Sequence, residues 1–198
     1  MEEMKSMKAL WELTGVLALC GAIAAARPSA AKDGCWFREE PAQLVKRASP
    51  PDSAVGTLGG AEVKVCYGRP SAKGRTIMGG LVPFDQPWRL GANEATTIHL
   101  PVAAKLGDIS LKPGVYSLYA IPGAKSWQLV ANSAAERWGI AIDENVRKQD
   151  VGAVTVPVEQ TQAPVEKLTI RLEPAGANAL SLVIEWERTR VRATLKQG

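Results

Sequence analysis

The residues in this chain suited to chemistry gather in one stretch. Between two β-like segments, Gly68 to Ala95 reads GRPSAKGRTIMGGLVPFDQPWRLGANEA. It brings Arg69, Lys73, Arg75 and Arg89 together in sequence with Asp85, Asn93 and Glu94. Arginine forks take carboxylates or phosphates in two-point geometry and stack on aromatic rings, so Trp88 supplies one wall of an anion pocket. The expected binding set is Arg69, Lys73, Arg75, Trp88, Arg89, Asn93 and Glu94. A structural reading competes: Arg89 or Arg69 pairs with Glu94 or Asp85 and pins the loop to a sheet. In a third reading Asp85 and Glu94 are the two carboxylates of a hydrolase acting on a sugar or an acidic small molecule.

Other chemistries are excluded by what is missing. One histidine, His99, leaves no His-rich zinc site and no H-E-x-x-H motif, so neither metal nor cofactor is expected. No G-x-S-x-G nucleophile elbow occurs. Gly68 to Thr76 superficially matches a phosphate-binding loop, but Arg75 replaces its lysine and Ile77 to Pro83 cannot open the helix it needs. His99 is either a lone base or, sharing a strand face with Thr97, an exposed strand residue. Trp186 lies in phase with Leu182 and Ile184 and is assigned to the core, while Trp127 and Trp138 stay open as sugar-stacking surfaces.

The elements that position this loop read as strands. Ser53 to Leu58 and Ala61 to Tyr67 flank Gly59-Gly60, a two-residue hairpin turn. Thr96 to Val102, Val115 to Ile121 and Ser126 to Ala131 follow. Further on, Leu168, Ile170 and Leu172 alternate with polar residues, as do Leu182, Ile184 and Trp186, and then Val191, Ala193 and Leu195. One buried and one wet face is the pattern of antiparallel sheet. Ser133 to Trp138 and Asp143 to Gln149 are the helical stretches. Roughly eight or nine strands predict an all-β, antiparallel, jelly-roll-like β-sandwich with one or two short helices and a long ordered loop.

Composition sets the compartment and the partners. The chain has 198 residues, 46% hydrophobic, with a net charge of +4 and no basic run, so nucleic acid is not an expected partner. Leu13 to Ala26 is uncharged and apolar behind Lys5 and Lys8, which predicts a signal peptide over 1–26 cleaved after Ala26, or alternatively after Ala31. A lipoprotein anchor at Cys20 is the rival route. Residues 27–51 read as a linker or arm and 52–198 as the folded domain, with no membrane span after signal removal. The mature chain, secreted or periplasmic, keeps Cys35 and Cys66, which either form one disulfide or remain two thiols. Period two places Cys66 with Glu62 and Lys64 on the reachable face of its strand.

Five ordered blocks carry a family resemblance: Tyr67 to Arg75, Gly79 to Thr97, Pro113 to Gly123, Trp127 to Gly139, and Ile184 to Val191. Over Ala54 to Leu195 the chain resembles a bacterial family of exported proteins, domain of unknown function family 2911. The resemblance implies an exported domain with the Arg69–Glu94 loop as its signature, and Cys66 and His99 do not look like part of that pattern. The function expected is binding of a small molecule or an envelope partner, anionic or carbohydrate, without catalysis; the alternative is the hydrolase acting through Glu94 and Asp85.

Overall fold

The computed structural model describes residues 34–198, so the apolar run, Cys20, Ala26 and Ala31 lie outside the described residues. A short helix, α1 (Pro41–Leu44), precedes the strands β1 (Pro51–Leu58), β2 (Ala61–Gly68), β3 (Thr96–Leu100), β4 (Ala104–Leu106), β5 (Ile109–Leu111), β6 (Gly114–Pro122) and β7 (Ser126–Asn132). After them come α2 (Glu144–Arg147) and two long strands, β8 (Asp150–Pro174) and β9 (Ala179–Gln197). The hydrogen-bonded order is β1-β2-β3-β6-β7-β8-β9-β4-β5. Every pairing is antiparallel. The protein is therefore all-β and antiparallel, as the alternation of apolar residues implies.

Strand β8 joins the two halves of this order. Its first part pairs with β7, through Trp127↔Val156 and Leu129↔Val154, and its last part pairs with β9, through Ile170↔Ile184 and Leu172↔Leu182. The sheet folds back far enough that β1 meets the second half: a Cβ added at Gly56 would lie 2.9 Å from that of Leu172. Val63, Val65, Ile98, Leu100, Leu129, Leu168, Ile184, Trp186 and Leu195 fill the interior. Each such burial contributes about 1.5–3 kcal/mol, against the conformational entropy that ordering the chain costs.

Local sequence explains where strands begin, end and change phase. Gly59 and Gly60 have φ of +56° and +79°, the left-handed pair that a tight hairpin between Leu58 and Ala61 requires. β3 stops at Leu100, short of the expected Val102, because Pro101 has no N–H to donate. The expected separate strands over 182–187 and 190–195 are one strand, β9. Its inward residues switch from even (Leu182, Ile184, Trp186) to odd (Val191, Ala193, Leu195), and Glu187, with φ of +53°, supplies the irregular step at the switch. The register with β8 shifts on both sides of Val165, which pairs with Glu187.

The helical expectation over 133–138 fails. That segment pairs with the loop instead, through Ala95 N–H to Arg137 O and a bridge between Glu94 and Trp138. The second expected helix is shorter than 143–149, covering Glu144–Arg147, and Asp143 caps it by accepting from the Asn145 and Val146 N–H groups at 3.0 Å each.

Residues 34–50 are fastened to β2 and to the end of the loop that follows it. A disulfide joins Cys35 to Cys66 with Cα atoms 5.7 Å apart. Arg47 grips Glu94 with two hydrogen bonds of 2.7 and 2.9 Å. Asn93 Nδ2 donates to Ser49 O. The structure corrects two expectations here. Cys66 is 2% exposed and His99 8%, buried rather than reachable, because alternation sets the face a residue points to and not what lies over it. His99 Nε2 is 3.1 Å from Thr97 Oγ1 and 3.6 Å from Cys66 Sγ.

On the far side of β8 and β9 a ring of alternating charges closes on itself. Glu185 contacts Arg171 at 2.7 Å and also Arg190; Glu159 contacts Arg190 and Arg192; Glu173 contacts Arg192 and Arg171. Burial pushes the Glu185 carboxyl up, but its hydrogen bonds from Arg171 and Arg190 outweigh that and hold it below the usual range. A carboxyl depressed in the folded state stabilises the fold above its unfolded pKa, near 4.3, and that contribution is lost as pH falls through the folded value. Glu185→Gln is expected to cost about 1.5–3 kcal/mol at pH 7 in urea unfolding, with the gap to the wild type narrowing in acid. An equal gap at both pH values would count against the ring.

Candidate functional site

The loop between β2 and β3 starts and finishes at one point. Ala92 N–H donates to Gly68 O, and a Cβ on Gly68 would fall 2.0 Å from Ala92 O, so this close approach requires glycine. Near its start the loop lies against β8, through a Ser71↔Lys167 bridge and the Ala72 N–H to Glu166 O bond. Near its end it runs beside β6. β3 pairs with β6 only as far as Leu118; Trp88 then bridges Ala120, and Asp85 N–H donates to Pro122 O. The loop thus takes the place of β3 beside the last residues of β6, satisfying backbone groups that would otherwise be open.

The residues singled out in the sequence divide among separate places. Arg69 is held by Leu168 O (3.1 Å), Thr169 Oγ1 (3.2 Å) and Asp52 (3.2 Å). Lys73 is exposed, and its backbone N–H donates to Glu166 Oε1. Arg75 turns back onto the carbonyls of Ala72 and Ser71. Arg89, Asn93 and Glu94 stand together by the 137–139 segment, where Gly139 N–H donates to Asn93 O and a Cβ on Gly139 would strike Arg89 Cδ at 2.4 Å. Arg89 Nε is buried with no hydrogen-bond partner, and burial holds its guanidinium below the usual arginine value.

Glu94 is 3% exposed. Burial pushes its pKa up, but the bonds from Arg47 and from the Arg38 N–H hold it below the ordinary value. A carboxylate with both oxygens on one guanidinium has no proton to deliver at neutral pH. Asp85 is exposed at the other end of the loop's run along β6, so the pair of acids is not brought together by a shared cleft. Arg47, not Arg69 or Arg89, is the partner that pins Glu94.

Trp88 faces inward as the middle member of an indole column. Its ring stacks on Trp186 at 5.9 Å and meets Trp127 edge to face at 5.7 Å. Trp186 Nε1 donates to Glu166 O at 3.2 Å. Trp127 is 1% exposed, and its Nε1–H is buried with no acceptor.

Trp127 also lines a cavity of about 220 Å³ at the end of the sheet, together with Met78, Phe84, Val158, Gln160, Glu187 and Arg188. A second cavity of about 220 Å³ adjoins it, lined by Arg75, Val165 and Glu166 among others, and the two share Thr76, Glu187 and Arg188. Glu187 sits at the junction because of the irregular step in β9; its Oε2 accepts from Ile77 N–H at 2.9 Å. Left-handed backbone at a glutamate costs roughly 1–2 kcal/mol, a strain that points to a placed side chain. A depression of about 330 Å³ beside α2 has Glu144, Arg147, Lys148 and Asp150 on its lining.

Of the binding set expected from the sequence only Arg75 lines this groove, together with Trp127, which the sequence leaves open as a sugar-stacking surface. Glu187, Glu166, Gln160 and Trp127 come from segments far from the loop in sequence. The one signal that pointed there was the even-to-odd switch around Glu187. Among the described residues no three His, Cys, Asp or Glu side chains are grouped to hold a metal ion. No helix among them is long and apolar enough to cross a membrane. A family model described as a protein of unknown function, DUF2911, matches residues 49–195. No curated protein and no solved structure matches the chain.

Proposed function

The chain belongs to the DUF2911 family of proteins of unknown function, and from that premise we propose that it is a binding domain without catalysis. Its ligand is a small molecule, neutral overall and amphipathic, seated in the groove around Glu187. The observation that carries this reading is the pair of adjoining cavities around Glu187, one of them lined by Trp127, whose indole N–H is buried and left without an acceptor. Such a donor costs about 1–3 kcal/mol unless something accepts from it. Volume supports the same reading. Each cavity alone falls below the roughly 300–1,000 Å³ of ligand pockets, and joined through Thr76, Glu187 and Arg188 they come into that range. Glu166 and Glu187 offset Arg75 and Arg188, so a ligand of one charge sign would leave the opposite wall unpaired.

The reading also places the domain outside the cytoplasm, secreted or periplasmic. Its supports are the Leu13–Ala26 run behind Lys5 and Lys8, and the Cys35–Cys66 bond, a linkage typical of oxidising compartments.

The test is a calorimetric and thermal-shift panel of cellobiose, maltose, glycyl-leucine and succinate. A compound that binds should lose about tenfold affinity in Trp127→Phe, which keeps an aromatic ring but removes the donor. Arg89→Ala, away from the groove, should bind as the wild type does. Equal affinity in Trp127→Phe, or loss in Arg89→Ala alone, would move the site to the Arg89–Glu94 end of the loop.

A further inference from the structure

We infer that the ligand is a carbohydrate chain of at least two sugar units, one ring in each cavity, with Glu187 and Arg188 at the linkage between them. This rests on the reading of the groove as a ligand site. Geometry gives the length. Two chambers of equal size, each about 220 Å³, share a wall of three residues, which suits two similar rings better than one compact molecule.

Hydrogen-bond chemistry gives the class. The first chamber is lined by a side-chain amide (Gln160), a hydroxyl (Thr189) and a carboxylate (Glu187) of which one oxygen already accepts from Ile77 N–H, and by Trp127, whose buried Nε1–H has no partner. A hydroxyl is both donor and acceptor, so a polyol satisfies such a mixture without introducing charge. The hydrocarbon of Met78, Phe84 and Val158 faces the same space and suits the C–H face of a sugar ring.

A short peptide fits less well. Its charges stand at its ends, and one end would lie in the chamber walled by Met78, Phe84 and Val158. The paired charges of the groove stand at its middle, on Glu187 and Arg188. Leaving a terminal ammonium or carboxylate against an apolar wall costs more than the hydrogen bonds regain.

The experiment titrates the whole folded domain with glucose, cellobiose and cellotriose, and with N-acetylglucosamine and its dimer and trimer, reading intrinsic tryptophan fluorescence and calorimetric heat. In at least one series the disaccharide should bind about tenfold or more tighter than the monosaccharide, with little further gain from the third ring. Glu166→Gln, which keeps the acceptor for Lys73 N–H, should remove the disaccharide's advantage and leave monosaccharide binding unchanged. Glu187→Gln should weaken both. Equal binding of one ring and two would overturn the two-unit assignment. If no saccharide binds while glycyl-leucine or succinate does, the carbohydrate class is wrong and the groove remains a ligand site. If nothing in either panel binds, both fall together.

Discussion

Replacing Arg47 by methionine lowers the unfolding free energy by about 3–5 kcal/mol, the usual result of stripping a buried charge of its partner. Glu94 keeps 3% of its surface exposed and draws both side-chain bonds from Arg47, at 2.7 and 2.9 Å. Once Arg47 is gone, only backbone N–H groups, those of Arg38 and of Glu94 itself, still donate to that carboxylate. The double variant Arg47→Met with Glu94→Gln should recover part of the loss, since a neutral amide is cheaper to bury than an unpaired carboxylate. The pH dependence follows from the sign of the shift. Glu94 is depressed in the fold, so the wild type loses this contribution as pH falls through the folded pKa, and Arg47→Met should lose less in acid. Urea unfolding at pH 7 and pH 4 checks both statements, and an Arg47→Met protein as stable as the wild type at pH 7 would show that the arm does not hold the loop.

The second large effect belongs to the disulfide. Cys35 and Cys66 are 31 positions apart in sequence. Closing a loop of that length stabilises a fold by about 3–4 kcal/mol in the chain-entropy account. Cys35→Ser with Cys66→Ser, or reduction by dithiothreitol, should lower stability by that order and open residues 34–50 to protease. The effect should be smaller than the sum when combined with Arg47→Met, because the two fastenings hold the same arm. Thiol titration of the unfolded, non-reduced protein gives the contrary result if it finds two reactive sulfhydryls in residues 34–198.

Much of the fold is written in local pattern. The alternation Leu182, Ile184, Trp186 and then Val191, Ala193, Leu195 marks inward faces that the structure confirms, and Gly59-Gly60 marks its turn. The continuity of β9 through Glu187 was harder to see, although the change of phase is present in the residues, because a bulge and a strand break leave the same trace. Cys66 and His99 point outward by alternation and are nonetheless buried. Cys66 is tied to Cys35 in residues 34–50, which have no period to read, and His99 lies beside Cys66. The loop from Arg69 to Glu94 stood out for its charges, but these go to separate places, Arg75 to Ala72 and Ser71, Arg69 to Asp52, Leu168 and Thr169, and Glu94 to Arg47. Its contribution to the groove comes from Arg75, Thr76, Met78 and Phe84, of which only Arg75 had been marked, meeting segments about a hundred positions away. Spacing along a chain carries no information on such meetings.

The decisive measurement is the indole ¹H–¹⁵N resonance of Trp127 followed during titration with cellobiose and the N-acetylglucosamine dimer. A ligand seated against Trp127 should move that resonance, while the Trp186 indole, already bonded to Glu166 O, shifts far less. A bound ligand that leaves Trp127 unmoved and displaces Trp138 instead would put the site under the N-terminal arm and contradict the groove.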